Sequence, residues 1–407
     1  MTAFSNLQIR IQGCMSDSEL ARLSPSLMLK VALEIDAEQI GLIIHDGRVE
    51  IAPAEDAQVR ISASSAAWES VLKLPPPPTY QSFTALQIAN DQFDVSGDSQ
   101  LIAQARPALE RLFELITLSP PAVAEPVERS LAEVLGHYGR ISSQGLAYDV
   151  YYETAGTGIP VLFLHTAGAD GRQYQEQMSD LGLGKQYHMY ALDLPFHGKS
   201  SPPKNWDGGA YRLTSAQYRD WCVAFIEQVI GQPAIIVGGS MGAAMALVLA
   251  AEAPQVVAGV VALEPPFQSR GRRNPFQNHV SVHGGLHNGA YVRGLMSPTS
   301  PVADRRRASW IYSQGGPGVY PGDLAFYSDE FDGAITAAAI DTAKTPVALL
   351  SGTYDYSATP ADGAKLAALL AEHLHIVMSG LGHFPMIEHP DHFRPFLVQG
   401  LNYVTRS

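Results

Sequence analysis

Pro233-Ala234-Ile235-Ile236-Val237-Gly238-Gly239-Ser240-Met241-Gly242 runs without a break into Ala243-Ala244-Met245-Ala246-Leu247-Val248. The first five residues are an apolar strand candidate, and the last six are strong helix formers. A strand that turns into a helix over a G-x-S-x-G pattern holds its serine on a strained elbow. Glycines flank it because a side chain there would meet the neighbouring strand and helix. The Ser240 hydroxyl is therefore expected to stand free at the end of a buried strand.

Three further segments follow the same plan, an apolar strand ending in polar residues. Val161-Leu162-Phe163-Leu164 opens on His165-Thr166-Ala167-Gly168, a tight loop able to aim backbone N–H groups at a developing oxyanion. Val347-Ala348-Leu349-Leu350-Ser351 ends in Gly352-Thr353-Tyr354-Asp355, and Ile376-Val377-Met378 leads to Gly380-Leu381-Gly382-His383-Phe384-Pro385. Ser240, Asp355 and His383 thus each lie just past the carboxyl end of a strand, where open parallel sheets place their ligands. A serine needs a base to take its proton and a carboxylate to fix the tautomer of that base. His383 and Asp355 meet these needs. The Met241 N–H is expected as one oxyanion donor and that of Ala167 or Thr166 as the other.

With these motifs quoted, the chain from about Gly145 to its C-terminus resembles the α/β-hydrolase fold superfamily. Gly352 to Pro360 matches that family's acid motif with one residue more before the proline, and Gly382 to Pro390 matches its histidine motif. Asp193-Leu194-Pro195-Phe196-His197-Gly198-Lys199-Ser200 matches a third strand ending loosely. Where the family usually has His-Gly, this chain has His165-Thr166-Ala167, which bears on the first oxyanion donor. The resemblance implies an α/β fold with a mostly parallel sheet, and a serine hydrolase cleaving carboxylic esters, lactones or thioesters through an acyl-enzyme. No cofactor or metal is called for. The same triad also serves carbon–carbon bond hydrolases and cofactor-free perhydrolases. A non-catalytic protein holding an apolar ligand on this scaffold is the alternative from another class.

Glu264, after Val260-Val261-Ala262-Leu263, competes with Asp355 for the acid role; the more complete motif favours Asp355, leaving Glu264 and His165 as candidate substrate-pocket residues. His165 and His197 read as loop-fixing hydrogen bonders. His279, His283 and His287 recur every four residues, but Gly284 and Gly285 should interrupt a helix there and no carboxylate completes a metal set. Arg270, Arg272, Arg273 and Arg305 to Arg307 read as solvated or paired with local acids rather than as substrate ligands.

Composition sets the outer bounds. The chain has 407 residues, of which 46% are hydrophobic, enough for more than one core. Its net charge of −13 repels nucleic-acid and anionic lipid surfaces. No apolar stretch is long enough to span a membrane, and the start of the chain lacks a basic-then-apolar leader, so a cytoplasmic protein acting on a small-molecule ester is expected. Cys14 and Cys222 are too few and too far apart for a disulfide framework.

Ser119-Pro120-Pro121-Ala122-Val123-Ala124-Glu125-Pro126 reads as a linker, dividing a domain over 1–118 from a linker over 119–137 and a hydrolase domain over 138–407. Before the linker come a hairpin over Leu42 to Ile51 on an Asp46-Gly47 turn, a strand over Val59 to Ala63, a helix from Ser65 and a helix from Gln100 to Leu118. This is a small α+β pattern. Through its D-G-R-V hairpin, Trp68 helix and V-x-G-D turn it resembles the sterol-carrier-protein-like fold. Its apolar positions suggest a face for homo-oligomerisation or a groove for an apolar ligand. Leu146 to Glu153 reads as an antiparallel edge strand, and the irregular stretch over about 266–343 as a cap over the active site.

Overall fold

A computed structural model describes residues 2–14, 17–45 and 47–406, which form two compact units. The first comprises Met1–Ala122 with Pro275–Ser313, and the second Val123–Asn274 with Gln314–Ser407. The stretch expected to cap the hydrolase is therefore divided, with its central part packed among the N-terminal residues.

The first unit holds strands β1 (Met28–Ile35), β2 (Glu38–His45), β3 (Arg48–Ala52), β4 (Val59–Ala63) and β5 (Asp94–Gly97) in the order β3-β2-β1-β4-β5. Only β1 and β4 run parallel; the other pairs are antiparallel. The expected hairpin is present with His45 opposite Arg48, while Asp46 of its turn lies outside the described residues. β1, the central strand, and the opening helices Ala3–Gln12 and Ser18–Leu23 carry no motif and were not expected. The long helix Ser99–Ile116 starts where the Asp98 carboxylate accepts the Leu101 N–H, and buries Leu109, Leu112 and Phe113. Trp68 stacks on Phe113 at 6.2 Å, meets Phe93 edge-on at 5.2 Å and donates its indole N–H to the Glu34 carbonyl at 2.8 Å.

Residues 275–313 join this unit through helices Gly284–Gly294 and Val302–Tyr312, which bring buried ion pairs to it. The buried Glu114 carboxylate meets Arg111 at 2.5 Å, Arg293 at 2.5 Å and Arg305 at 2.9 Å. Glu19 meets Arg293 at 2.6 Å and Arg306 at 2.8 Å. Arg305 and Arg306 thus pair with acids of the N-terminal segment and not with local ones as expected, whereas Arg307 of the same run meets a local acid, Asp304 at 3.7 Å. Gly284 and Gly285 begin the first of these helices instead of breaking it. His283 caps it, accepting the Leu286 N–H, so His279 lies outside the helix that carries His287.

The second unit is built on strands β6 (Leu135–Ser143), β7 (Leu146–Ala155), β8 (Ile159–Leu164), β9 (Tyr187–Leu192), β10 (Ala234–Gly239), β11 (Val257–Leu263), β12 (Val347–Gly352) and β13 (Leu374–Met378). Their order is β13-β12-β11-β10-β8-β9-β7-β6; β8 to β13 pair in parallel, while β7 pairs antiparallel with β9 and β6. β7 is therefore next to the edge, which is taken by β6, a strand that begins inside the expected linker. The inner strands β10 and β12 are buried throughout, which accounts for their unbroken apolar sequence. Among the described residues no helix is long and apolar enough to cross a membrane. Both cysteines are buried and unbridged.

Candidate active site

β10 ends at Gly239, and the helix Met241–Glu252 begins two residues later, leaving Ser240 alone in the turn at φ 52°, ψ −109°. A non-glycine residue at positive φ is strained, and the surroundings hold it there. The Ser240 N–H donates to the Leu263 carbonyl at 2.9 Å. A Cβ on Gly238 would lie 2.1 Å from the Gly242 carbonyl oxygen, and one on Gly242 would lie 2.3 Å from that of Leu164. Backbone cannot yield at such distances, so both positions require glycine.

The loops after β12 and β13 bring two side chains to this serine. His383 Nε2 is 2.9 Å from Ser240 Oγ, and His383 Nδ1 is 2.6 Å from Asp355 Oδ2. The other Asp355 oxygen accepts the N–H groups of Ser357 and Ala358 at 2.6 and 3.1 Å, which fixes the carboxylate in its loop. With the imidazole proton on Nδ1, facing the carboxylate, Nε2 is left to accept from the serine hydroxyl. All three side chains are nearly sealed from solvent.

Glu264, the competing acid, takes a different position. It sits at φ 50° just past β11, fully buried, and both its oxygens accept the Gly352 N–H, at 2.9 and 2.8 Å. Burial, and then the neighbouring Asp355 charge, push its carboxyl well above the usual carboxylate range. Glu264 therefore joins the ends of β11 and β12 behind Asp355. Glu388 performs a similar service for the histidine loop by accepting the Gly382 N–H.

The loop after β8 is fixed amide by amide. The Thr166 N–H donates to Gln173 Oε1 at 2.9 Å, and the Gly168 N–H to Asp323 Oδ2 at 2.7 Å. Of the two candidates for the first oxyanion donor, Thr166 is thus committed elsewhere, whereas the Ala167 N–H has no acceptor among the described residues. Met241 opens its helix, so its N–H has no partner within that helix. His165 donates to the Thr166 carbonyl at 2.9 Å and accepts the Leu194 N–H at 3.4 Å. Burial, and then the charge of His197, lower its pKa to about 4. His197 meets Asp323 at 2.8 Å. Burial opposes its charge, but the carboxylate prevails and raises its pKa. The Tyr211 hydroxyl donates to the other Asp323 oxygen at 2.9 Å. Both histidines therefore brace the loop.

Sequence reasoning missed three contributors: Gln173, Asp323 and Tyr327, whose buried hydroxyl borders Ser240. None lies in a recognisable motif, and Asp323 and Tyr327 come from the irregular stretch whose path only the folded chain reveals. Arg272 donates to the Ser357 carbonyl at 2.9 Å and Arg273 pairs with Asp329 at 2.8 Å, so both are engaged within the unit.

Comparison with known proteins agrees with this arrangement of strands and loops. Pheophytinase of the Arabidopsis thaliana chloroplast is 30% identical over 148 residues, 29% of this chain and 30% of that protein. The chain thus covers less than a third of that relative's length. A thermophilic esterase from Thermogutta terrifontis superimposes with a TM-score of 0.56 at 17% identity, covering 66% of this chain and 99% of that one. The enol-lactonase from Burkholderia xenovorans LB400 does so at 0.56 and 19% identity, covering 65% and 100%. At such identities the likeness is one of fold. The family model described as the alpha/beta hydrolase fold matches residues 159–390, more than half of the 407. The chain belongs to the alpha/beta hydrolase fold family.

Proposed function

We propose that the second unit is a serine hydrolase that cleaves carboxylic esters of small apolar or aromatic substrates, lactones and thioesters included, through an acyl-enzyme. Ser240 Oγ attacks the carbonyl carbon while His383 Nε2 takes its proton, and Asp355 stabilises the resulting imidazolium. The N–H groups of Met241 and Ala167 receive the oxyanion. Collapse of the tetrahedral intermediate expels the alcohol, which takes the proton from His383. Water then repeats the sequence on the acyl-enzyme and restores Ser240. The observation that carries this reading is the unbroken relay, 2.9 Å from Ser240 Oγ to His383 Nε2 and 2.6 Å from His383 Nδ1 to Asp355. An esterase and an enol-lactonase among the proteins of like fold are in keeping with it. Fluorophosphonate labelling followed by peptide mass spectrometry should mark Ser240, and Ser240→Ala should abolish both labelling and p-nitrophenyl ester hydrolysis. Normal ester turnover by a folded Ser240→Ala variant would end the proposal.

For the first unit we propose ligand capture, on one specific observation. A cavity of about 570 Å³ lies between the helix Ser18–Leu23, the helix Ser99–Ile116 and the two helices of 275–313, with Leu23, Pro107, Leu286 and Trp310 among its apolar walls. That volume is in the range of small-molecule sites. Quenching of Trp310 fluorescence by a long-chain ester, lost in Leu286→Glu, would support capture. A quench unchanged in Leu286→Glu would count against it, and homo-oligomerisation, read by light scattering, would then be the remaining role.

A further inference from the structure

Two neighbouring hydroxyls, one of them beside the nucleophile, have no hydrogen-bond partner among the described residues. Tyr327 lies in the helical turn Ala325–Glu330, which packs against the helix that Ser240 opens. Its side chain is buried and its hydroxyl borders both Ser240 and Ser269, yet it meets neither in hydrogen-bond geometry. Ser269 Oγ is likewise buried without a hydrogen-bond partner among the described residues. The backbone around the pair is fixed: the Ser269 carbonyl accepts from Ser328 Oγ at 2.7 Å, and that oxygen accepts the Arg272 N–H at 3.2 Å.

Buried hydroxyls left unpaired destabilise a fold, so a pair of them, of which Tyr327 adjoins the reacting serine, is explained better by a ligand than by packing. The carbonyl oxygen of a bound acyl group already has its donors in Met241 and Ala167, which belong to other segments. An acyl group bonded to Ser240 Oγ carries its next carbon close to whatever borders Oγ, and an oxygen on that carbon comes within reach of Tyr327.

We propose that Tyr327, assisted by Ser269, is a specificity-determining donor to an oxygen on the acyl carbon next to the scissile carbonyl. The preferred substrates are then 2-hydroxyacyl and 2-oxoacyl esters or lactones instead of plain alkanoyl ones. This rests on the reading of Ser240 as nucleophile. A site built to hydrogen-bond an oxygen rejects the analogue lacking it, because its own polar groups are then left buried and unpaired.

The test compares phenyl lactate with phenyl propanoate, which differ by that one oxygen. Taking the ratio of wild-type to Tyr327→Phe kcat/KM for each ester cancels their intrinsic reactivities. The expected ratio is about tenfold or more for phenyl lactate and less than about threefold for phenyl propanoate, with a smaller bias of the same sign in Ser269→Ala. Equal ratios, whether large or near one, would overturn the inference, since Tyr327 would then be a general donor or a bystander. Should Tyr327→Phe not fold, the Ser269→Ala ratios decide in the same way. If the wild-type protein opened neither ester and resisted fluorophosphonate, the nucleophile reading itself would fall and this inference with it, a result distinct from equal ratios in an active enzyme.

Discussion

Replacing Asp355 by asparagine keeps the shape of the site and removes one charge, which makes it a sharp probe of the relay. The Asp355 oxygen that faces Ser357 and Ala358 accepts two N–H groups, so an asparagine there must also present oxygen to them. Its NH₂ group is then turned toward His383 Nδ1, at the position where Oδ2 now stands 2.6 Å away. Nδ1 must accept instead of donate, the imidazole proton moves to Nε2, and the base that should take the Ser240 proton is blocked. The lost attraction to the imidazolium adds to this: two unit charges roughly 4 Å apart at an effective dielectric of about 20 attract by about 4 kcal/mol. That alone is about a thousandfold in rate, at about 1.36 kcal/mol per decade. A fall in kcat of roughly 10³ to 10⁴ is expected. Glu264→Gln is the control: burial and the Asp355 charge already disfavour the ionised form of Glu264, and an amide oxygen can still accept the Gly352 N–H, so a loss below about tenfold is expected. Burst and steady-state kinetics on p-nitrophenyl acetate, with melting curves to confirm folding, give both numbers. The reasoning is refuted if Glu264→Gln is the more damaged variant, or if Asp355→Asn keeps more than about 5% of wild-type kcat.

Gly238→Ala would put a methyl carbon 2.1 Å from the Gly242 carbonyl, so the elbow must break; loss of fluorophosphonate labelling and a lower melting temperature are expected, and wild-type behaviour would contradict the geometry. Burial raises the Glu110 pKa to about 7 from 4.5, so between those values the folded protein binds the extra proton and stability falls as pH rises through that window. Glu110→Gln should therefore gain on the wild type by up to about 3 kcal/mol between pH 4.5 and 8, and a difference in denaturation free energy that does not change with pH would count against it. Glu114→Gln leaves Arg111, Arg293 and Arg305 without their shared carboxylate and should destabilise the first unit by about 3–5 kcal/mol, with faster proteolysis within 275–313 as the readout. Unchanged cleavage rates would mean that packing, not charge, holds that segment.

The sequence by itself determined what neighbouring residues decide. An apolar run buried on both faces announces β10, β11 and β12, and a serine between obligatory glycines announces the elbow, because strand burial and backbone clearance act over a few residues. The order Ser240, Asp355, His383 and the parallel sheet followed from repeating that local pattern. Only the tertiary structure decided which of two acids reaches His383: Asp355 and Glu264 both end inner strands, and their roles differ through a 2.6 Å contact in one case and a shared Gly352 N–H in the other. The same holds for the first oxyanion donor, since it is Gln173, an uncharged side chain with no motif, that occupies the Thr166 N–H and leaves Ala167. Pro275–Ser313 joined the N-terminal unit against expectation, and its Arg293 there meets Glu19 and Glu114, both far away in sequence. Tyr327 came to Ser240 by a helical turn in a stretch without periodicity. Periodicity and glycine record local constraint, whereas buried charges and hydroxyls find their partners through space, and no spacing along the chain encodes that distance.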